Sequence, residues 1–310
     1  YERERKMELS MIILKQIVLM FIYMMIGFLL YKKKFVTKQG SKELGLILLY
    51  VILPVVIVKA YLVTFSAELL RGLALSFAAS LLVLLLSMLL SRIVFRSKYP
   101  IEQFSSAFSN AGFIGIPLVE MTFNDSMAVF YVSSFVALLN ILQWTYGIVV
   151  MTGKRDSIAP KKITTNPIVI SFIVGIILFF LPVELPEVLN SAVAAVSSMN
   201  APVAMIILGT YLAQMKLREL FTDRMVYLCA VMRLIVIPLA TAAVLALIPG
   251  NEMLKMSVLI VAATPVGSNV AIFAQMEDMD YTQAVKDICL STLLCIVTIP
   301  LVVSAAGVLF

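Results

Sequence analysis

Histidine is absent from this 310-residue chain. That removes the commonest general base and the commonest metal ligand together, so histidine-dependent triads and ordinary zinc sites are excluded. Charge is scarce as well: Asp, Glu, Lys and Arg make up 14% of residues against 62% hydrophobic, and mean hydropathy is +1.04. A soluble domain carries about 25% charged residues, and a water-soluble core cannot absorb this much apolar surface. Cysteine is limited to Cys229, Cys289 and Cys295. All three fall inside apolar segments and no two form a CxxC pair, so they read as small core hydrophobes rather than a redox or metal site. Neither a metal nor a cofactor is expected, and no enzymatic activity.

What is present is a succession of long apolar runs. About 20 apolar residues cross about 30 Å of hydrocarbon, and spans are expected near 10–31, 43–63, 69–95, 101–122, 126–150, 166–182, 188–213, 224–248, 253–276 and 284–309. The expected fold is therefore an all-α polytopic membrane protein with ten transmembrane helices. Met7 reads as the natural start and YERERK as an upstream extension; nothing there has the pattern of a cleaved signal, so the first run stays a span. Short cytoplasmic loops hold the excess of Lys and Arg. The loops after the odd-numbered spans contain sixteen of the 24 such residues, whereas those after the even-numbered spans offer only Arg71 and Lys255. Both termini are thus expected outside the cytoplasm of an inner-membrane protein. The 151–165 loop, with Lys154, Arg155, Lys161 and Lys162, is expected inside as a basic anchor.

Five spans on each side of that loop would give the halves opposite topology, and the prolines supply a repeat. Pro54 and Pro202 share one separation with Pro117 and Pro265, 148 residues, and each pair joins a span to the span five further on. The expected organisation is a first five-helix repeat over 7–150, the basic loop over 151–165, and a second, inverted five-helix repeat over 166–310. Inverted repeats are characteristic of alternating-access transporters.

The fourth and ninth spans are the least apolar. In the fourth, Asn110-Ala-Gly112-Phe-Ile-Gly115-Ile-Pro117 sets two glycines and a proline within one short stretch, and the backbone is expected to open between about Gly112 and Pro117. The ninth repeats the arrangement in Pro265-Val-Gly267-Ser268-Asn269, where Ser268 or Asn269 suits the cap of a second half-helix. Opened backbone at membrane depth must be buried in protein or line a wet cavity. Two half-helix N-termini converging there would stabilise an anion, most simply a carboxylate. Arg233 lies near the middle of the eighth span, where a charge costs about 2.5 kcal/mol or more. It is either a counter-charge for an anionic substrate or an arginine held by backbone carbonyls or by Asp287. Asn140, Gln143 and Trp144 in the fifth span and Asn200 in the seventh need buried partners.

These segments resemble the auxin efflux carrier family, which includes plant PIN-type carriers and bacterial malate or malonate permeases. Asn110 to Leu118 (NAGFIGIPL) is similar to the family's crossover in span four, Pro265 to Ala274 (PVGSNVAIFA) to its crossover in span nine, and Ser291 to Pro300 (STLLCIVTIP) to its span ten. Arg233 with Pro238 also fits the family's pattern in span eight. The resemblance implies a scaffold of spans one, two, six and seven, through which a homodimer could form. It also implies a moving domain of spans three to five and eight to ten, with the fold of the bile acid/sodium symporters. Substrate would bind where spans four and nine cross, touching Asn110 and, from span five, Asn140 and Trp144. The short 151–165 loop departs from the long hydrophilic loop of the PIN type and fits the bacterial permeases. The expected function is a secondary transporter of a small organic anion, with membrane lipid as its surroundings and no nucleic acid partner; a ligand-binding membrane sensor using the same pocket is the alternative.

Overall fold

The computed structural model describes residues 2–158, 160–181, 183–214, 223–307 and 309, with the side chains of 2–10 and of residue 13 excepted. Two of the lysines and arginines used for orientation, Lys216 and Arg218, lie outside the described residues. Among those described, regular structure is entirely helical. The elements are α1 (Glu2–Lys32), α2 (Lys38–Ala60), α3 (Ala67–Lys98), α4 (Pro100–Ala107), α5 (Ala111–Phe123), α6 (Ser126–Thr152), α7 (Pro167–Phe179), α8 (Glu187–Ala213), α9 (Arg224–Leu247), α10 (Glu252–Ala263), α11 (Asn269–Met276) and α12 (Tyr281–Ala306). Seven of them, α1, α2, α3, α6, α8, α9 and α12, are long and apolar enough to cross a membrane. The count becomes eight if α7 and the short helical segment before it, bent by 49°, form one span.

The starts of these helices follow from sequence. Ser66, Asp125, Asn166, Asp223 and Asn251 each stand at an N-cap and accept a backbone N–H of the first turn through the side chain, which supplies one of the donors a helix start leaves unpaired. Three interior prolines share a common device. Pro54, Pro117 and Pro238 each stand two residues after the end of a five-residue π-turn, at 48–52, 111–115 and 232–236. A proline in a regular helix lacks a donor and presses on the carbonyl four residues back; the wider π-turn accommodates both faults.

Helices α1, α2, α7 and α8 pack on one another, and α3 to α6 pack with α9 to α12; α1 also lies along α12 and α7 along α6. Many large apolar side chains remain exposed. On α3, Leu82, Leu85, Leu89 and Ile93, all about half exposed, follow the helical repeat along one face. An apolar stripe of that extent belongs against lipid rather than water.

Candidate functional site

The helix that would be the fourth span is interrupted between α4 and α5, and the ninth between α10 and α11. Phe108 is extended and Asn110 non-helical. The chain therefore leaves the helix ahead of Gly112, earlier than the glycines and proline suggest. Gly112, Gly115 and Pro117 sit instead within the opening turns of α5, where the π-turn accommodates Pro117. The second interruption falls at Thr264 to Ser268, as the Pro265-Val-Gly267 sequence implies.

At the crossing the two open segments bond to each other. Ser109 and Val266 form an antiparallel bridge, in which the Asn110 amide donates to the Pro265 carbonyl at 2.8 Å and the Gly267 amide to the Phe108 carbonyl at 3.0 Å. A Cβ at residue 267 would lie 3.0 Å from the Ser109 carbonyl oxygen and 3.3 Å from that of Phe108, so glycine permits the close backbone approach. Ser291 of α12 accepts the Val266 amide at 3.0 Å. These bonds answer the requirement that freed backbone groups at membrane depth find partners in protein.

Each interruption leaves one helix end negative and one positive. The negative ends meet at Arg233, which is 1% exposed. Its Nη1 donates to the Ser106 and Ala107 carbonyls of α4, at 2.9 and 3.3 Å, and its Nη2 donates to the Ala262 carbonyl of α10. A 3.4 Å contact to Ser87 Oγ completes the set. The guanidinium thus caps the C-termini of both first half-helices, supplying charged donors where the last carbonyls have no intrahelical partner. Of the two roles open to Arg233 from sequence, the geometry matches attachment to carbonyls, and Arg233 does not line the cavity described next.

The positive ends face a small cavity of about 30 Å³. Its polar wall consists of Ser109 and Asn110 from the first break, Ser268 and Asn269 from the second, and Asn140 and Gln143 from α6. Gly112, Phe113 and Gly267 contribute backbone, while Leu49 and Leu53 of α2, Leu139 of α6 and Ile168 of α7 close the apolar side. Among the described residues, no charged one lines it. Unlike the capped helices above, α5 and α11 have no side-chain bond at their N-caps, Asn110 and Ser268. Asn110, 4% exposed, has no hydrogen-bond partner for Nδ2, and Gln143, 0% exposed, none for Nε2.

The Ser109 hydroxyl is unpartnered as well, whereas the other amide side chains are tied down. Asn269 Nδ2 donates to Gln143 Oε1 at 2.7 Å, joining the second break to the π-turn of α6. Asn140 Nδ2 donates to the Val136 carbonyl at 2.8 Å, and Asn140 Oδ1 accepts from Asn166 at 3.3 Å. Trp144 is outside the cavity wall; its ring lies 4.5 Å from that of Phe273, with Lys162 Nζ 4.6 Å from its centre. Of the residues singled out in the sequence, Asn110, Gly112, Asn140, Gly267, Ser268 and Asn269 therefore share the cavity, and Gly115, Pro117, Trp144, Arg233 and Pro265 lie around it. Gln143 stands three residues after Asn140 on the same helix face, a spacing that links the two. The leucines and isoleucine of the apolar wall carry no such signal.

No curated protein matches the chain at a significant level. A family model described as "Membrane transport protein" matches residues 12–163 and 156–303, which is nearly the whole sequence, and the chain accordingly belongs to that family, the auxin efflux carrier family of membrane transporters.

Proposed function

We propose that the protein is a secondary carrier that moves a small organic anion, a carboxylate, by alternating access at the cavity between the two breaks. The observation that carries this reading is the donor surplus of the cavity: two uncapped half-helix N-termini together with the unpartnered amide groups of Asn110 and Gln143, and no acidic lining residue among those described. Arg233 already occupies the converging negative ends. An anion at the converging positive ends would be its electrostatic counterpart. In this reading α4 with α5 and α10 with α11 are two interrupted spans of ten, related by an inverted repeat across 151–165, and the antiparallel bridge at the crossing supports such a relation. Helices α1, α2, α7 and α8 form the scaffold, through which a homodimer would form. The rest moves across the cavity's apolar side. The short 151–165 loop favours the bacterial permease branch and an inner-membrane setting.

Uptake of labelled malonate, malate and related dicarboxylates into proteoliposomes tests the proposal. Native protein is expected to give saturable flux of at least one of them. Asn110→Ala removes a buried donor to a charged ligand, a bond contributing about 1.5–3 kcal/mol, and is expected to weaken half-saturation about tenfold to a hundredfold. Saturable binding without flux would favour a sensor and sink the carrier reading.

Orientation has its own test. The native cysteines are all buried, so Asp156→Cys, at an exposed position in the loop, gives a single reactive thiol. It is expected to react with an impermeant maleimide only from the cytoplasmic face. Labelling of intact cells would reverse the topology.

A further inference from the structure

A second polar cluster lies away from the cavity, where α12 packs on α4 and α9. Asp287 of α12 is 1% exposed, and neither of its carboxyl oxygens has a hydrogen-bond partner. Ser105 of α4 and Cys229 of α9, both fully buried, face that carboxyl, and the Ser105 hydroxyl is unpartnered too. The charged and titratable groups around Asp287 are mostly of its own sign or neutral. From α4 comes Glu102, 6% exposed, whose Oε1 accepts from Gln283 of α12 at 3.0 Å. From α9 come Cys229 and, at that helix's N-cap, Asp223. Arg233, one turn beyond Cys229, has both terminal nitrogens committed to the helix ends described above. Helix α11 presents no titratable group, α10 carries its own, Glu252 and Lys255, at its first turn, and α1 brings Tyr31 near Tyr281 at the start of α12.

We infer that Asp287 is a proton-binding site, loaded in the conformation seen here. A carboxylate taken out of water with only a serine hydroxyl and a thiol beside it and no facing cation costs several kcal/mol. A proton removes that charge and lets the acid donate to Ser105 or Cys229. Sodium is the poorer occupant, because a hard cation needs several converging oxygens. Here one neighbour is a thiol, one Glu102 oxygen already accepts from Gln283, and no group of three metal-binding side chains occurs among the described residues. The proton also sits close to the crossing. The Asp287 carbonyl accepts from Ser291 Oγ at 2.7 Å, and that same oxygen accepts the Val266 amide of the second break. If the carrier reading holds, on which only this last link rests, the proton travels in register with the movement of that break.

Infrared spectroscopy of the purified full-length protein tests the site without any transport assay, so its outcome is independent of whether flux is found. At neutral pH the native protein is expected to show the carbonyl stretch of a protonated carboxyl group. That band should be lost in Asp287→Asn and retained in Glu102→Gln. If Asp287→Asn does not fold, Asp287→Glu should shift the band. A band unchanged in the Asp287 variant would overturn the inference. So would its absence from native protein, whether or not sodium chloride, against choline chloride, raises the thermal midpoint of native protein alone.

Discussion

Arg233→Ala is expected to cost about 3 kcal/mol or more of stability, enough to lower the yield of folded protein sharply, and Arg233→Lys is expected to recover only part of the loss. The Ser106 and Ala262 carbonyls at the ends of α4 and α10 lose their charged donor, and the Ala107 carbonyl keeps only the Ser87 hydroxyl. Each buried acceptor left unpaired costs about 1–3 kcal/mol, and bonds to charged groups stand at the upper end of that range. Lysine restores the charge but not the planar fork, which here reaches two helices from two nitrogens. Thermal unfolding in detergent measures the effect. The alternative role, a counter-charge for substrate, makes the opposite forecast: an unchanged melting point with lost flux. The distinction is sharp because Arg233 is outside the cavity wall while holding both helix ends that flank it.

The same residue marks what could be read in the sequence and what could not. Apolar run length located α6 at Ser126–Thr152 and α9 at Arg224–Leu247 within two residues, because lipid imposes a length that composition records. A charge in the middle of such a run announces that it has partners. It does not identify them, since a backbone carbonyl has no sequence signature. The first break was displaced for a related reason. Pro117 and its glycines signalled a faulty helix, but a π-turn absorbs that fault, and the chain opened instead at Phe108 to Asn110, where the Pro265 and Gly267 backbones offer bonds from far away in sequence. In the cavity, Asn110, Asn140, Ser268 and Asn269 were legible as polar groups where lipid would demand apolar ones. Leu49, Leu53 and Ile168 were not, because an apolar residue facing a cavity has the same sequence as one facing a hydrocarbon chain.

Gly209→Ala is expected to be at least as damaging as loss of Arg233, although it adds one methyl group far from the cavity. Helices α1 and α8 cross with backbone against backbone. A Cβ at Gly209 would overlap the Met24 carbonyl oxygen, and one at Gly27 would overlap that of Ile206. Neither obstacle is the end of a flexible side chain, so relief requires moving one helix off the other. Overpacking commonly costs about 1–3 kcal/mol. A clash with backbone exceeds that range, and it falls where small residues govern helix association in lipid. Gly27→Ala should behave alike. Gly112→Ala is the control: its added carbon would meet Leu53 Cδ1 at an ordinary 3.7 Å, and a shift in the melting point of no more than about 1 kcal/mol equivalent is expected from helix propensity. A Gly209→Ala protein as stable as the native one would mean that α1 and α8 do not meet in this register. The fixed half of the proposed carrier would then need to be redrawn, since this contact is what makes α1 and α8 a single rigid element against which the crossing can move.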